Sequence, residues 1–589
     1  MTAARDPGVE AGAPAARERP DAPSSRERLL AVARGDAEPD LVVEGGRVFS
    51  AYTREWLDGD VAIADGRIAG VGRYEGGERV DASGRFVVPG LIDAHVHIES
   101  SKLLPAEFAR VVVARGTTAV VCDPHEIANV LGAPGAHWLL EASEGLPLRV
   151  YAMAPSCVPA SALESPRGPL GTEEMSEILG HERAIGVAEV MDFPSVIAGD
   201  PDVLAKVALH PHVDGHAPGV TGAALDAYAA AGIRSDHEST TWEEALQKRR
   251  RGLWVLLREA SNARNLSALL ELVRRHGPEY CAFCTDDREP DMLVREGHID
   301  SMCRRAVADG IAPEDALVMA TLHPARGHGL ASLGAIAPGF HADMALLEDL
   351  DSFRAAVVIA GGTVAARDGR ALPIAAPPVP GWVRDTMNAA PLAAEAFDLG
   401  PGGERVRLIE IVPGQLITIA REAPPPLRDG RVVADPARDL AKLAVVERHH
   451  ATGRVGAGLV RGFGLRSGAF ASTVAHDAHN LVVAGVDDAS MVACARRLVE
   501  LGGGIAVADG GEVRGELALP VAGLLSEEPA EAVVQRLDEL VALLRGQGVE
   551  IDAPFMTLSF LALSVIPELK LTDRGLVDVV AARVVPLAV

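Results

Sequence analysis

Two histidines separated by one residue, His95 and His97, are the most chemically informative feature of this 589-residue sequence. They come at the end of an apolar run, residues 86–92, that is typical of a β-strand. Side chains two positions apart on a strand project from the same face, so both imidazoles can reach one metal ion. The spacing therefore predicts a metal site at a strand end.

The middle of the chain, residues 89–333, alternates short apolar runs with helical patterns, which predicts βα units around a parallel sheet. Eight such units in about 245 residues match the usual size of a (β/α)8 barrel, in which reactive groups gather at the carboxyl ends of the strands. The predicted strands are residues 86–92, 118–122, 149–154, 184–190, 211–215, 233–236, 253–257 and 280–285.

Polar and metal-binding residue types stand at nearly every predicted strand end. Randomly placed surface histidines would seldom fall on so few positions, so the pattern predicts one shared site at the barrel mouth. The residues are His95, His97, Asp123, His125, Glu126, Ser156, Glu189, His216, His237, Glu238, Arg258, Glu259, Asp286 and Asp287.

Six of these residues offer nitrogen and oxygen donors without a thiolate, a set that suits Zn, Fe or Mn in a catalytic site. One catalytic zinc normally takes three protein ligands, so six donors indicate two ions, with Glu189 as the bridging carboxylate. Paired cations lower the pKa of a bridging water, and Asp286 is the candidate to shuttle its proton. The candidate ligands are His95, His97, Glu189, His216, His237 and Asp286.

Composition limits the partners of the chain. It carries 56 Lys and Arg against 82 Asp and Glu, a formal charge of −26, which disfavours nucleic acid and anionic membranes as partners. Its six cysteines are too few for a disulfide scaffold, and no apolar run is long enough to span a membrane. Because the N-terminus also lacks the apolar core of a signal peptide, we expect a cytoplasmic protein.

The residue patterns predict four parts. Residues 1–39 are expected to form a disordered extension. Alternating segments at 40–88 and 334–372 predict a β-sandwich domain that the barrel, residues 89–333, interrupts. Residues 400–589 predict an α/β or α+β domain, with a strand at 440–446 and helices near 489–501 and 530–544. The expected fold class is therefore α/β, with a TIM-like (β/α)8 barrel inserted in a small β-sandwich and a C-terminal domain.

Several long strings of the sequence resemble the amidohydrolase superfamily and, more narrowly, the bacterial adenine deaminases. The similarity runs from about residue 40 to the C-terminus, and strings of this length are far more specific than an isolated His-x-His. They are Pro89-Gly-Leu-Ile-Asp-Ala-His-Val-His-Ile-Glu-Ser-Ser101, Cys122-Asp-Pro-His-Glu-Ile-Ala-Asn129, Ser235-Asp-His-Glu238, Cys284-Thr-Asp-Asp-Arg288 and Ser472-Thr-Val-Ala-His-Asp-Ala-His-Asn480.

The resemblance implies that adenine is the substrate and that its exocyclic amine is removed by hydrolysis, giving hypoxanthine and ammonia. It implies two divalent metal ions per subunit, with manganese or iron expected and zinc also suited, and a metal-bound hydroxide that attacks C6. It also implies a role in purine salvage and, as the expected assembly, a homo-oligomer. Glu189 stands at the fourth strand, where several relatives of the superfamily carry a carboxylated lysine.

Further strand-end residues are candidates for contact with the substrate. Each has a structural alternative: His125 can be a satisfied histidine at a helix start, and Arg258 and Glu259 can form only an ion pair. His479, together with His476, can complete the pocket, bind a separate ion or form a polar turn. The candidates for substrate binding are Glu99, His125, Arg258, Glu259 and His479.

The predicted catalytic group is Asp286, Glu238 and the ligand His237. Glu238 is the candidate to protonate a ring nitrogen or to accept a hydrogen bond from the amine, and its alternative is a solvated loop carboxylate.

Two other functions compete with this hypothesis. A deacetylase of an N-acetylated amino sugar phosphate shares the barrel and the Glu-His-His-Asp ligands, but it needs basic residues for phosphate, and only Arg258 and Arg288 stand at the strand ends. A non-catalytic barrel scaffold would have to pack six ligand side chains together without their ions, which is costly.

Overall fold

A computed structural model of the chain describes residues 23–589. A strand is present at or beside each of the eight predicted positions, and the strands pair in parallel with their neighbours within a five-stranded and a three-stranded sheet. The first barrel strand begins at Leu91 and not at residue 86, because Phe86–Pro89 pairs outside the barrel. Val96 at the end of the first strand also pairs with Asp286 after the eighth, so the two ends of the series meet. The strands, β1 to β8, are Leu91–Val96, Thr117–Cys122, Arg149–Ala154, Ala184–Val190, Val213–Gly215, Ser235–Asp236, Trp254–Arg258 and Cys281–Cys284.

Helices follow every barrel strand and cover the outside of the sheet. The helix after β7 shows why: Leu266, Leu269, Leu270 and Val273 recur at helical spacing and are buried on one face. The predicted barrel is therefore confirmed. Its helices are Pro105–Val113, His125–Leu131, Ala133–Glu141, Thr172–Leu179, Phe193–Ala198, Pro201–Val207, Gly222–Ala230, Trp242–Arg249, Leu266–His276, Pro290–Arg295, Ile299–Ala308, Pro313–Ala320 and Leu322–Gly327, and Ile98–Ser101 is a short 3-10 turn.

Two sheets are built from segments on both sides of the barrel in the sequence. Phe86–Pro89, which leads into β1, pairs antiparallel with Met344–Leu347, which follows the last barrel helix. The barrel is thus inserted into this β unit. The four-stranded sheet contains Arg67–Gly72, Asp60–Ala64, Leu41–Glu44 and Glu78–Asp81, and the seven-stranded sheet contains Arg370–Ala371, Thr363–Arg367, Ala355–Ala360, Met344–Leu347, Phe86–Pro89, Arg47–Ser50 and Glu55–Asp58.

The N-terminal extension contains ordered structure, which corrects the expectation for residues 1–39. Residues 1–22 lie outside the described part of the chain, but Pro23–Arg34 forms an α-helix. Val32 of this helix is fully buried against small side chains of the four-stranded sheet, and Arg28 pairs with Asp40. Apolar contacts of Val32 and the ion pairs of Arg28 with Asp40 and Asp65 thus dock a helix that composition alone assigns to disorder.

The C-terminal region is dominated by an eight-stranded, mostly antiparallel sheet, as expected for an α+β unit. The predicted strand is Leu440–Val446, and the predicted helices are Asp488–Glu500 and Ala530–Gly546. In sheet order the strands are Thr418–Ala423, Val406–Ile411, Val455–Arg461, Leu440–Val446, Leu481–Gly485, Ala469–Ser472, Gly504–Asp509 and Glu512–Ala518. The remaining elements are the strands Leu427–Arg428, Arg431–Val432, Leu569–Thr572, Gly575–Asp578 and Arg583–Val585, the helix Pro554–Phe560, and the 3-10 turns Gly381–Val383, Ala394–Phe397 and Pro436–Arg438.

This C-terminal unit contacts the mouth of the barrel. Ser526 pairs with Leu103, just after the first barrel strand, and Arg110 of the first barrel helix pairs with Glu531 at 2.6 Å. The C-terminal unit therefore covers the carboxyl ends of the barrel strands.

Within residues 23–589, no helix is both long enough and apolar enough to cross a membrane.

Candidate metal centre and active site

The six predicted ligands converge at the carboxyl ends of the barrel strands. Each is between 1% and 6% exposed, so none is a solvated surface group. They come from β1 and the residues just after it, from β4, and from the first residues beyond β5, β6 and β8. The structure thus brings together His95, His97, Glu189, His216, His237 and Asp286.

The carboxylate of Glu189 lies between two groups of donors. Its Oε1 is 3.6 Å from His95 Nε2 and 3.3 Å from His97 Nε2. Its Oε2 is 2.6 Å from His216 Nδ1 and 3.3 Å from His237 Nε2. A carboxylate with one oxygen directed at each group is the arrangement expected of a ligand that bridges two ions.

The hydrogen bonds of His97 fit a metal ligand. Its Nδ1 lies 3.0 Å from the carbonyl oxygen of Asp123, which can only accept, so that nitrogen carries the proton. When a metal replaces the proton on Nε2, that nitrogen presents a lone pair on the side where His95 Nε2 lies at 3.2 Å and Asp286 Oδ1 at 3.1 Å. Nitrogen and oxygen lone pairs that meet in a buried space are stabilised by a cation, so the donors fit a divalent metal.

The electrostatics of the centre also favour positive charge. Burial by itself would raise the pKa of Glu189, but His237 and His216 outweigh it and hold the pKa well below its usual value. Burial would likewise raise the pKa of Asp286, and His97 with Arg258 lowers it instead. Burial disfavours a charged His97, yet Asp286 and Glu189 raise its pKa. The carboxylates are therefore ionised at neutral pH and attract cations.

Asp93 positions the first and last strands of the site, a role that the sequence did not reveal. Its Oδ1 accepts hydrogen bonds from the backbone N–H of His95 at 3.2 Å and of Thr285 at 3.1 Å. Its Oδ2 lies 3.0 Å from His298 Nε2. A buried aspartate two residues before the His-x-His pair was the available signal, because a charge inside an apolar strand needs a partner.

Arg258 connects the two predicted proton-carrying groups. Its guanidinium donates to Glu238 through both terminal nitrogens and to Asp286 Oδ2 at 2.8 Å. Burial would lower the pKa of Arg258, but the two carboxylates raise it. Burial would raise the pKa of Glu238, but its contact with Arg258 lowers it instead. Arg258 therefore holds both carboxylates ionised and fixed in place.

Replacing Arg258 with Met should destabilise the metal-free protein by about 3–5 kcal/mol, because two buried carboxylates lose their cation. Urea unfolding after chelation measures the change. The matched control is Arg264→Met, which removes an arginine whose ion pair with Glu296 is nearly half exposed and contributes about 1 kcal/mol at most. Equal losses in the two variants would contradict the assignment of Arg258 as the counter-ion of the site.

The C-terminal unit supplies the roof of a small pocket above the ligands. Leu416, Phe560, Leu563 and Ile566 form its apolar part. The rest of the lining is polar, and of its residues only Asp477 was not among the candidates drawn from the sequence. His476 was one of them, since it stands beside His479 in a string with metal-type spacing. The polar lining is His97, His125, Glu126, Glu189, His216, His237, Glu238, Arg258, Asp286, Asp287, His476 and Asp477.

Three of the predicted substrate contacts, Glu99, Glu259 and His479, lie outside this lining. Glu259 pairs with Arg305 and accepts a hydrogen bond from the N–H of Leu266 at 3.3 Å, so its predicted contact with substrate is replaced by a structural ion pair. The reason is strand alternation: Arg258 points into the barrel mouth, and its neighbour must point away. His479 is buried against Glu126 and also does not line the pocket.

Glu99 lies behind the pocket, whereas His125 lines it. The Oε1 of Glu99 accepts a hydrogen bond from the N–H of Ile127 at 3.1 Å, and burial together with nearby Glu126 raises the pKa of Glu99 to about 7. Strand alternation from His97 does not extend to Glu99, because the chain turns into a 3-10 helix at Ile98–Ser101.

A wider cavity of about 1090 Å³ lies beside the pocket and shares two of its lining residues, Leu416 and Phe560. The ammonium group of the fully buried Lys570 donates to the carbonyl oxygens of Leu416 and Phe560, at 2.7 Å and 3.0 Å. Burial without a carboxylate partner lowers the pKa of Lys570 to about 7. Lys570 thus holds in place Leu416 and Phe560, the two residues that line both the outer cavity and the pocket.

The free energy of unfolding should rise with pH above neutrality because of Lys570. Its pKa is about 7 when folded and 10.5 in the reference state, so between these values the unfolded chain binds more protons. Stability then increases by up to about 1.4 kcal/mol per pH unit. Urea unfolding at about pH 7.5 and about pH 9.5 measures this slope, and Lys570→Met should reduce it by that amount. Parallel curves for the two proteins would contradict the shifted pKa.

A parallel-stranded barrel with His-x-His on its first strand, a buried glutamate on the fourth, two later histidines and an aspartate after the eighth defines a hydrolase of the amidohydrolase class. Residues 86–365 match the model of the amidohydrolase family, and residues 415–583 match that of the adenine deaminase C-terminal domain. The two matches cover the barrel and most of the C-terminal unit.

Relatives match nearly the whole chain. The adenine deaminase of Desulfatibacillum aliphaticivorans is 44% identical over 94% of this chain and 98% of its own length. Adenine deaminase 2 of Carboxydothermus hydrogenoformans is 46% identical over 95% of this chain and 99% of its own. For the adenine deaminase of Archaeoglobus fulgidus the values are 48%, 95% and 97%. The chain belongs to the adenine deaminase family.

Proposed function

We propose that this protein hydrolyses adenine to hypoxanthine and ammonia at a pair of divalent cations. Family membership over about 95% of the chain supports the reaction. The observation that supports the cation pair is the position of Glu189, whose two carboxylate oxygens each face a separate group of donors.

One group of donors would hold each cation. His95, His97 and Asp286 lie on the Oε1 side of Glu189, and His216 and His237 lie on the Oε2 side. When bound, such a pair acidifies a water molecule and so supplies the nucleophile that adds to C6 of the purine. Donors of this type suit manganese or iron, and zinc as well.

Two carboxylates are placed to move protons. Oδ1 of Asp286 faces the donor group, and Oδ2 of the same carboxylate accepts a hydrogen bond from Arg258. Asp286 can therefore take a proton from the attacking water and pass it to the departing amine. Glu238, with Oε1 3.5 Å from His237 Nε2, can carry a proton to and from a ring nitrogen. The balance is one water consumed and one ammonia released per adenine.

The roof of the pocket suits a flat heterocycle. Phe560 stacks on His476 with ring centroids 4.4 Å apart, and Leu416 and Leu563 complete an apolar surface opposite the acidic wall. An apolar cover also excludes bulk water from the reaction. The negative charge of the chain favours a small neutral substrate over a nucleic acid.

We assign the reaction to purine salvage in the cytoplasm and expect a homo-oligomer. A reducing compartment suits the six cysteines, all of which are buried and free.

The geometry gives no support to a deacetylase of amino sugar phosphates. Such an enzyme needs a free basic group for the phosphate. Arg258 is paired with two carboxylates, and Arg288 donates to the carbonyl oxygens of Glu259 and Gly297.

Ammonia release tests the proposed substrate. Manganese- or iron-loaded protein is incubated separately with adenine, adenosine, cytosine and an N-acetylated amino sugar phosphate, with acetate measured for the last. We expect rapid release from adenine and little from the others. Turnover of another compound in preference to adenine would overturn the proposal.

A further inference from the structure

A second group of metal-type side chains lies where the barrel meets the C-terminal unit. We call His125, Glu126, His476 and Asp477 the joint cluster. Glu126 Oε1 is 3.3 Å from His125 Nε2 and 2.6 Å from His476 Nδ1. Asp477 Oδ1 is 3.8 Å from each of the same two nitrogens. Four donor atoms therefore form a closed ring with spacings close to those of ligands around one ion.

The joint cluster is completely built from buried side chains of two distant segments. Each of the four residues is 1% or 2% exposed. His125 and Glu126 open the helix after β2, whereas His476 and Asp477 lie in the loop between the strands Ala469–Ser472 and Leu481–Gly485. None of the four belongs to the six barrel ligands.

Surrounding groups fix the orientation of these donors. The backbone N–H of Ala475 donates to His479 Nδ1 at 3.1 Å, so the proton of that ring is on Nε2, which donates to Glu126 Oε2. Glu126 Oε1 is thereby left for the cluster. On the other side, the carboxylate oxygen Oδ2 of Asp123 lies 3.2 Å from His125 Nδ1, and His125 Nε2 faces Glu126 Oε1 at 3.3 Å. Histidines and carboxylates held in this way are typical of metal ligands.

Three members of the cluster have buried atoms without a hydrogen-bond partner. His125 Nδ1, His476 Nε2 and Asp477 Oδ2 are all enclosed and unpaired within residues 23–589. Four donor atoms, two of them carboxylate oxygens, are thus enclosed together with polar atoms that have no partner of their own, which is costly without a cation.

We propose that the joint cluster binds a divalent cation of its own, in addition to the barrel site, with His125 Nε2, Glu126 Oε1, His476 Nδ1 and Asp477 Oδ1 as ligands. Two imidazole nitrogens and two carboxylate oxygens suit zinc, manganese or iron. The ion joins the barrel to the C-terminal unit at the edge of the pocket. Its role is to lock the roof over the strand ends.

Metal counting in the full-length protein tests the proposal. Metal-free protein is equilibrated with Mn²⁺ alone, and bound metal is measured by mass spectrometry together with the dissociation constant of each equivalent. We expect His476→Ala and Asp477→Ala to bind one equivalent fewer than the wild type. His450→Ala is the matched control, because His450 is an exposed neighbour that only contacts the carbonyl of Pro166, and its count should equal that of the wild type.

Asp477→Asn covers the case in which the alanine variants do not fold. It preserves volume and should weaken one equivalent by about tenfold or more while leaving the others unchanged. Anomalous scattering at the manganese edge then locates the ion. A peak among the four donor atoms supports the proposal. No peak there, or unchanged counts in the variants, overturns it in favour of a hydrogen-bonded cluster. Both readouts are independent of whether adenine is the substrate.

Discussion

Replacing Glu189 with Gln should abolish adenine deamination and reduce the bound metal. The amide loses the charge that faces both donor groups, and one of its two bridging atoms becomes a hydrogen-bond donor directed at imidazole nitrogens. Metal ions contribute several kcal/mol of transition-state stabilisation. Since each 1.4 kcal/mol is a factor of ten in rate, we expect kcat/KM to fall by about 10³-fold or more.

Metal analysis and ammonia release on the same preparation measure both effects. Glu259→Gln is the matched control, since Glu259 stands at a strand end of the same barrel but directs its carboxylate to Arg305. It should retain wild-type metal content and most of the activity. Full activity or full metal content in Glu189→Gln would show that Glu189 does not bridge two ions.

The second large effect is expected for Glu238→Gln. This change removes a group that can carry a proton but leaves a carbonyl that still accepts from Arg258. We therefore expect kcat to fall by about 10²- to 10⁴-fold, the usual range for a general acid or base. Because Glu238 is outside the six-ligand set, metal content should remain at the wild-type value.

The contrast between the two variants separates the roles of the carboxylates. Glu189→Gln loses metal and activity together, whereas Glu238→Gln loses activity alone. Steady-state kinetics on metal-replete protein measure the difference. If Glu238→Gln retained its kcat and showed only a raised KM, Glu238 would be a binding residue and another group would carry the proton.

The barrel and the convergence of the six candidate ligands were predictable because each depends on local pattern. Apolar runs of four to seven residues mark the strands, and the polar residue that follows each run is placed by the geometry of a parallel sheet. His95 and His97 converge for this reason, as do Glu189 and Asp286. The position of each of these side chains depends only on which strand carries it and on its place at the carboxyl end of that strand.

Residues whose orientation depends on the exact end of an element were not predictable in the same way. Alternation places Glu99 beside His97 only if the strand continues, and it ends at Val96. Glu259 follows the last residue of β7, so its side chain turns away from Arg258 and reaches Arg305. Residue spacing therefore does not predict the direction of a side chain at the end of a strand.

The roof and the joint cluster depend on tertiary contacts between segments far apart in the sequence. Nothing local to Leu416, Phe560 or Asp477 indicates that they meet the barrel mouth, because that meeting is set by how two units pack. The N-terminal helix is a similar case. Its composition favours disorder, and the burial of Val32 against the four-stranded sheet offsets the conformational entropy that the helix loses when it orders.

The pairing of Phe86–Pro89 with Met344–Leu347 has a consequence for biosynthesis. The first of these strands leads directly into the segment that carries His95, yet its partner leaves the ribosome only after the last barrel helix. Contacts between such distant segments form late. The strand that precedes His95 therefore lacks its partner until the whole barrel has been translated, and we expect the candidate ligands to take up their final positions only after that point.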